Sequence, residues 1–175
     1  ATGTITVDPM PTVSLTSGAG TDAQTVCENS AITDITYAVN GSSTGAGATG
    51  LPTGVTGAYS SGVFTISGTP TQFGTFNYTV TTSGGTCTPA TATGTITVDE
   101  EPTVVLSSAT GTNAQSVCVN TPITDITYNI GGSATGAGVA GLPTGVTGSY
   151  SSGVFTISGT PTATGTFNYT ITTTG

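Results

Sequence analysis

Leu51-Pro52-Thr53-Gly54-Val55 leads through Ser60-Ser61-Gly62-Val63-Phe64-Thr65-Ile66-Ser67-Gly68-Thr69-Pro70 to Gly74-Thr75-Phe76-Asn77-Tyr78-Thr79. The same run returns almost letter for letter from Leu142 to Pro161 and from Gly165 to Thr170, 91 residues on and without a gap. A repeat of that period makes the 175-residue chain a tandem array of small domains rather than one larger body. Ala1–Asp8 is repeated as Ala92–Asp99. Residues 1–8 therefore read as the closing strand of a preceding repeat, 9–99 as a complete repeat, and 100–175 as a second repeat lacking its closing strand. The chain starts and stops inside its own period, so it is expected to be a window on a longer protein. In that protein the next residues fill the missing strand. The alternative is that residues 1–8 of a neighbouring copy fill it by strand addition.

Within each repeat the apolar residues alternate with Thr and Ser, and no run keeps helical spacing. Short strands are expected near 12–15, 23–27, 35–39, 54–59, 63–67, 75–82 and 92–98. Asn40–Gly50, poor in large side chains, reads as a loop or weak strand. Ser60-Ser61-Gly62 reads as a hairpin and Gly68-Thr69-Pro70-Thr71 as a turn. Seven to eight strands in about 90 residues, all without helix, predict two antiparallel sheets face to face. The fold class is thus all-β: tandem Ig-like sandwiches, end to end. The expected inward set is Val13, Leu15, Val26, Ile35, Tyr37, Val39, Leu51, Phe64, Ile66, Phe76, Tyr78, Val80, Ile96 and Val98. Asp99-Glu100-Glu101-Pro102 and Asp8-Pro9-Met10-Pro11 are short, proline-bearing junctions, which predict limited hinge motion.

Charge narrows the function. The chain has no Lys, Arg or His and eight acidic residues, for a formal charge of −8. Without cations it has nothing to neutralise phosphates, which excludes ordinary nucleic-acid binding. It also cannot hold an anionic membrane through a polybasic patch. The usual general bases are missing too, so no catalytic residue is named and no enzymatic role is expected. No segment is apolar enough to span a bilayer.

Three cysteines are present. Cys27 and Cys118 are equivalent, and the equivalent of Cys87 would fall beyond Gly175. One disulfide per repeat is expected, Cys27 with Cys87, which implies an oxidising, extracellular compartment. The alternative is three buried free thiols. Asp99, Glu100 and Glu101 cluster at the junction and form the one candidate calcium site. The alternative is solvated surface acids, because Pro9 and Met10 stand at the other junction. No other cofactor is expected. Leu51-Pro52-Thr53-Gly54 resembles a sorting signal but lacks an apolar tail and reads as a turn. The Asn-x-Ser/Thr triplets at Asn40, Asn77 and Asn168 read as coincidental. Tyr59 and Tyr150 are the aromatic rings best placed for a glycan, with a packing role as the alternative.

The Leu-Pro-x-Gly-Val hairpin followed by Ile-Ser-Gly-Thr-Pro-Thr-x-x-Gly-x-Phe-x-Tyr-Thr, at Leu51–Val80 and Leu142–Ile171, resembles the Ig-like domains of bacterial surface proteins. With Cys27-Glu28-Asn29 and Cys87-Thr88-Pro89 the repeats are similar to those of very large adhesins of gliding and related Bacteroidota. That resemblance implies export to the cell surface and no catalysis. The expected function is a structural repeat of a long extracellular filament or adhesin, giving reach and stiffness, with neighbouring repeats as its partners. The alternative is a repeat that itself binds surface glycans or associates laterally with identical filaments, since its Thr-rich strands carry no guarding lysines.

Overall fold

A computed structural model describes all residues, 1–175. The chain divides into two units, Ala1–Glu100 and Glu101–Gly175. It contains strands and turns and no helix.

In the first unit, one sheet has the order β1 (Thr12–Leu15), β3 (Ile35–Asn40), β6 (Val63–Gly68), β5 (Val55–Ser60). The other has the order β2 (Ala23–Cys27), β8 (Thr91–Asp99), β7 (Gly74–Ser83), β4 (Gly45–Thr49). The weak segment after Asn40 thus does form a strand, β4, paired with β7 from Gly45↔Ser83 to Thr49↔Thr79. Its small residues suffice because the ladder holds it while Ala46 and Ala48 pack half-buried against the core. One pairing departs from the expected antiparallel scheme. β2 runs parallel to β8, with Ala23 opposite Thr95 and Cys27 opposite Asp99. The loop from Thr16 to Asp22 carries the chain from one sheet to the other, so β2 arrives beside the last strand in the same direction.

The alternation of β-strand side chains sends Ile35, Tyr37, Val39, Phe64 and Ile66 from one sheet, and Tyr78, Val80, Ile96 and Val98 from the other, into a common core. Val13, Leu15, Val26, Leu51 and Phe76 pack against it half-buried. Every residue of the expected inward set is in this cluster. Ile32 and Val55 are also buried in it.

The turn motifs lock to each other. Thr69 N donates to Gly54 O at 3.1 Å and Thr71 N to Thr53 O at 2.9 Å. Ile32 N and Asn29 N donate to Gly68 O and Pro70 O at 3.0 and 2.9 Å. Gly54 has φ +89°, and a Cβ there would strike Thr69 O. Only glycine meets both demands. Leu-Pro-x-Gly and Gly-Thr-Pro are therefore two halves of one backbone clasp, which the second unit repeats with Thr160 N on Gly145 O and Thr162 N on Thr144 O, both at 2.9 Å.

The second unit has β9 (Thr103–Leu106), β10 (Ile126–Gly131), β13 (Val154–Gly159) and β12 (Val146–Ser151) in one sheet, and only β11 (Gly136–Ala140) with β14 (Thr170–Thr174) in the other. Its core is Ile126, Ile130, Val146, Phe155 and Ile157. The residues equivalent to β2, Ala114–Cys118, form no strand, and neither do Gly165–Tyr169, equivalent to the first half of β7. Both lack the strand that β8 supplies in the first unit.

Residues 1–8 form no strand within this chain, and their apolar side chains are bare: Ile5 is 92% and Val7 87% exposed. The following residues are held down. Thr86 Oγ1 donates to Asp8 Oδ2 at 2.5 Å, and Ser42 N donates to Pro9 O at 3.1 Å.

Candidate functional site

The expected Cys27–Cys87 disulfide is not made; both thiols are free, as is Cys118. The reason is the register. Cys27 ends β2 opposite Asp99, at the end of β8. Cys87 lies in the turn before β8 begins, and its Sγ donates to Asp8 O at 3.7 Å. The length of β8 separates them, roughly 25 Å at about 3.3 Å per residue. A disulfide needs Cα atoms about 4.4–6.8 Å apart. The sequence places the two cysteines in one repeat but says nothing of which end of the sheet each occupies.

Asp99, Glu100 and Glu101 are exposed, and no group of three or more ligating side chains is gathered to hold a metal. Asp99 uses its carbonyl to accept from Glu28 N at 2.8 Å. Tyr59 and Tyr150 are half-buried against their cores rather than presented as a platform. Asn77 sits on β7, and its Oδ1 accepts from Thr95 Oγ1 at 2.9 Å.

Two polar devices escaped the sequence reading. Tyr37 and Tyr78 face each other across the sandwich, hydroxyl to hydroxyl at 2.9 Å, both almost fully buried. Burial raises both phenols above their ordinary pKa, and the shared hydrogen bond raises Tyr78 further. Tyr128 and Tyr169 repeat the contact at 2.8 Å, and burial followed by that bond raises Tyr169. Gln24 is the other device. Its Nε2 donates to Thr21 O and Thr33 O at 2.8 and 2.9 Å, and its Oε1 accepts from Thr33 N at 2.9 Å. Gln115 makes the same three bonds in the second unit. The hint was an amide side chain kept at the same repeat position among so many hydroxyls.

Tyr78 also decides what may lie over it. Gly94 of β8 crosses the ring opposite Tyr78. A Cβ on Gly94 would run into Tyr78 Oη and Asp22 O. The closing strand is thus specified by shape as well as by hydrophobicity: Gly94 over the tyrosine, with Ile96 and Val98 fully buried beyond it.

In the second unit the equivalent place is a groove of about 630 Å³. Its walls are Asn113–Val117 on one side and Gly165–Tyr169 on the other, and its floor includes Ile126, Val146 and Ile157. The lining has no charged side chain. Val117 and Phe167 are exposed at its rim, 40% and 41%. The groove occupies the place that β8 fills in the first unit.

No protein-family model matches the sequence, and no curated protein matches it. Solved structures do match in fold. The I-band fragment I67–I69 of titin aligns over 97% of this chain at 10% identity with a TM-score of 0.56. The eight N-terminal Ig domains of Down Syndrome Cell Adhesion Molecule align over 87% at 9% identity with a TM-score of 0.53. The chain spans 65% of the titin fragment and 26% of the adhesion-molecule structure. The architecture is settled by these likenesses together with the two sheets of each unit. This is a tandem pair of Ig-like β-sandwiches. At such identities the likeness carries the fold alone.

Proposed function

We propose that this chain is a structural segment of a long extracellular filament or cell-surface adhesin, of the kind found in gliding and related Bacteroidota, and that its work is reach and stiffness rather than catalysis. The observation that carries the reading is the junction. Two sandwiches of closely similar sequence are joined by only Glu100, Glu101 and Pro102 between β8 and β9. At the other junction Asp8 and Pro9 are hydrogen-bonded onto the body of the first unit. A chain pinned up to the last residue of one strand and entering the next unit through proline has few free dihedrals. The repeat itself supports the same role, since an array of like units gains length without new specificity. No helix is long and apolar enough to cross a membrane.

Small-angle scattering on the monomeric 175-residue chain tests this. An elongated particle with one narrow range of inter-unit separations is expected. A broad range, as for two beads on a flexible tether, contradicts it.

A further inference from the structure

We infer that Asn40 is a site of self-modification, where the Asn40-Gly41 pair closes to a succinimide and opens to aspartate or isoaspartate, loosening β1 from β3. The inference goes beyond the filament reading and does not rest on it. The reaction needs an exposed side-chain amide, a next residue with no side chain to shield its nitrogen, and a free backbone N–H on that residue. Asn40 ends β3 and is exposed. Gly41 follows in a turn, is exposed too, and its N–H makes no backbone hydrogen bond. No other asparagine of the chain is followed by glycine. Asn77 and Asn168 precede tyrosines, and Asn77 Oδ1 is already held by Thr95 Oγ1 at 2.9 Å.

The fold keeps the glycine in place. Gly41 has φ +81°, and a Cβ there would strike Met10 O, so no other residue fits. Gly132 of the second unit has φ +67° and meets Glu101 O in the same way. The residue before it, however, is Gly131. The same turn thus occurs once with a reactive amide and once without.

The chemistry balances with water alone. Gly41 N gives up its proton and attacks Asn40 Cγ. The new N–Cγ bond closes a five-membered ring, the Cγ–Nδ2 bond breaks, and ammonia leaves with the proton. One water then opens the ring. If it breaks the N–Cγ bond, residue 40 becomes aspartate in an ordinary backbone. If it breaks the bond from Gly41 N to the main-chain carbonyl carbon, the chain runs on through Cβ and Cγ as isoaspartate, one backbone atom longer. That extra atom falls at a tight place. Gly41 lies against Met10 and Pro11, Ser42 N donates to Pro9 O at 3.1 Å, and Thr12 of β1 lies opposite Asn40. Lengthening the chain there pulls Ser42 off Pro9 and frees the start of β1.

The test incubates the full chain at mildly alkaline pH, native and in denaturant, and digests it with chymotrypsin, which isolates Asn40 between Tyr37 and Tyr59. Mass spectrometry reads the gain of one mass unit, and isoaspartyl methyltransferase labelling reads the isoaspartate. In the native chain Asn40 should convert within tenfold of its rate in denaturant, and at least tenfold faster than every other asparagine. The rate should rise with pH, because the attacking nitrogen must lose its proton. Asn40→Gly copies the residue already accepted at Gly131 and should fold normally without reacting. Hydrogen exchange reads the consequence. Residues 12–15 should lose protection at least tenfold in the isoaspartate form, while 103–106 are unchanged. Freshly made Asn40→Asp, which adds the charge without the extra atom, should keep that protection. Native Asn40 slowed more than tenfold, conversion no faster than at other asparagines, or unchanged protection at 12–15 in the isoaspartate form overturns the inference. Loss of protection in fresh Asn40→Asp overturns it too, by assigning the effect to charge.

Discussion

The two units share most of their sequence and differ in one strand. In the first, β8 lies between β2 and β7, and both are regular along their length. In the second, the same residues without that neighbour are irregular at Ala114–Cys118 and Gly165–Tyr169. Tyr78 is 1% exposed, whereas its equivalent Tyr169 is only half-buried. The strand order, clasp and first sheet survive in both. The difference shows that local propensity does not make β2 a strand; a partner does. Isolated edges gain little from β-propensity without cross-strand packing.

Several substitutions would break or sharpen this contrast. The largest effect is expected from Ile96→Ala, which empties the centre of the first core. A loss of roughly 2–5 kcal/mol is expected, confined to the first unit, with β2 and the start of β7 losing hydrogen-exchange protection. Gly94→Val should cost about 1–3 kcal/mol by overpacking against Tyr78, read by denaturant melts, again without effect on the second unit. Tyr37→Phe leaves a buried hydroxyl on Tyr78 without its partner, at about 1–3 kcal/mol. Tyr128→Phe should cost less, because that pair is only partly buried, and calorimetry on the two variants compares them.

Alkaline pH probes the same pairs. Burial raises the folded pKa of Tyr78 and Tyr169, while an unfolded tyrosine ionises near about 10. Above that value the unfolded chain releases protons that the folded chain retains. The contribution of these groups is therefore complete below about pH 10 and is lost as pH rises beyond it. Melting temperatures should fall there, and Tyr78→Phe should flatten the part of the fall that belongs to the first unit. The smallest effect belongs to Cys27→Ser. With no disulfide in the repeat and an exposed thiol, stability should change by less than about 0.5 kcal/mol. A drop of several kcal/mol would restore the intra-repeat bridge.

Much of this was legible beforehand. Alternation of apolar residues with Thr placed Ile35, Tyr37, Phe64, Ile66, Phe76 and Tyr78 inward, because a strand has only two faces. Ile32 and Val55 were hidden because each sits at a turn boundary with no alternating neighbours. The parallel pairing of β2 and the separation of Cys27 from Cys87 were hidden for another reason: sequence distance does not encode which end of a sheet a residue occupies. The groove was foreshadowed by the missing closing strand. Its shape, with a glycine required over a tyrosine hydroxyl, needed the packed first unit as a template.

The claim that a closing strand organises each sandwich is tested most directly by hydrogen exchange on the 175-residue chain at a dilution where it is monomeric. Residues 23–27 and 74–78 should be protected, while 114–118 and 165–169 should exchange rapidly. Equal protection of the two sets in a monomer would contradict it.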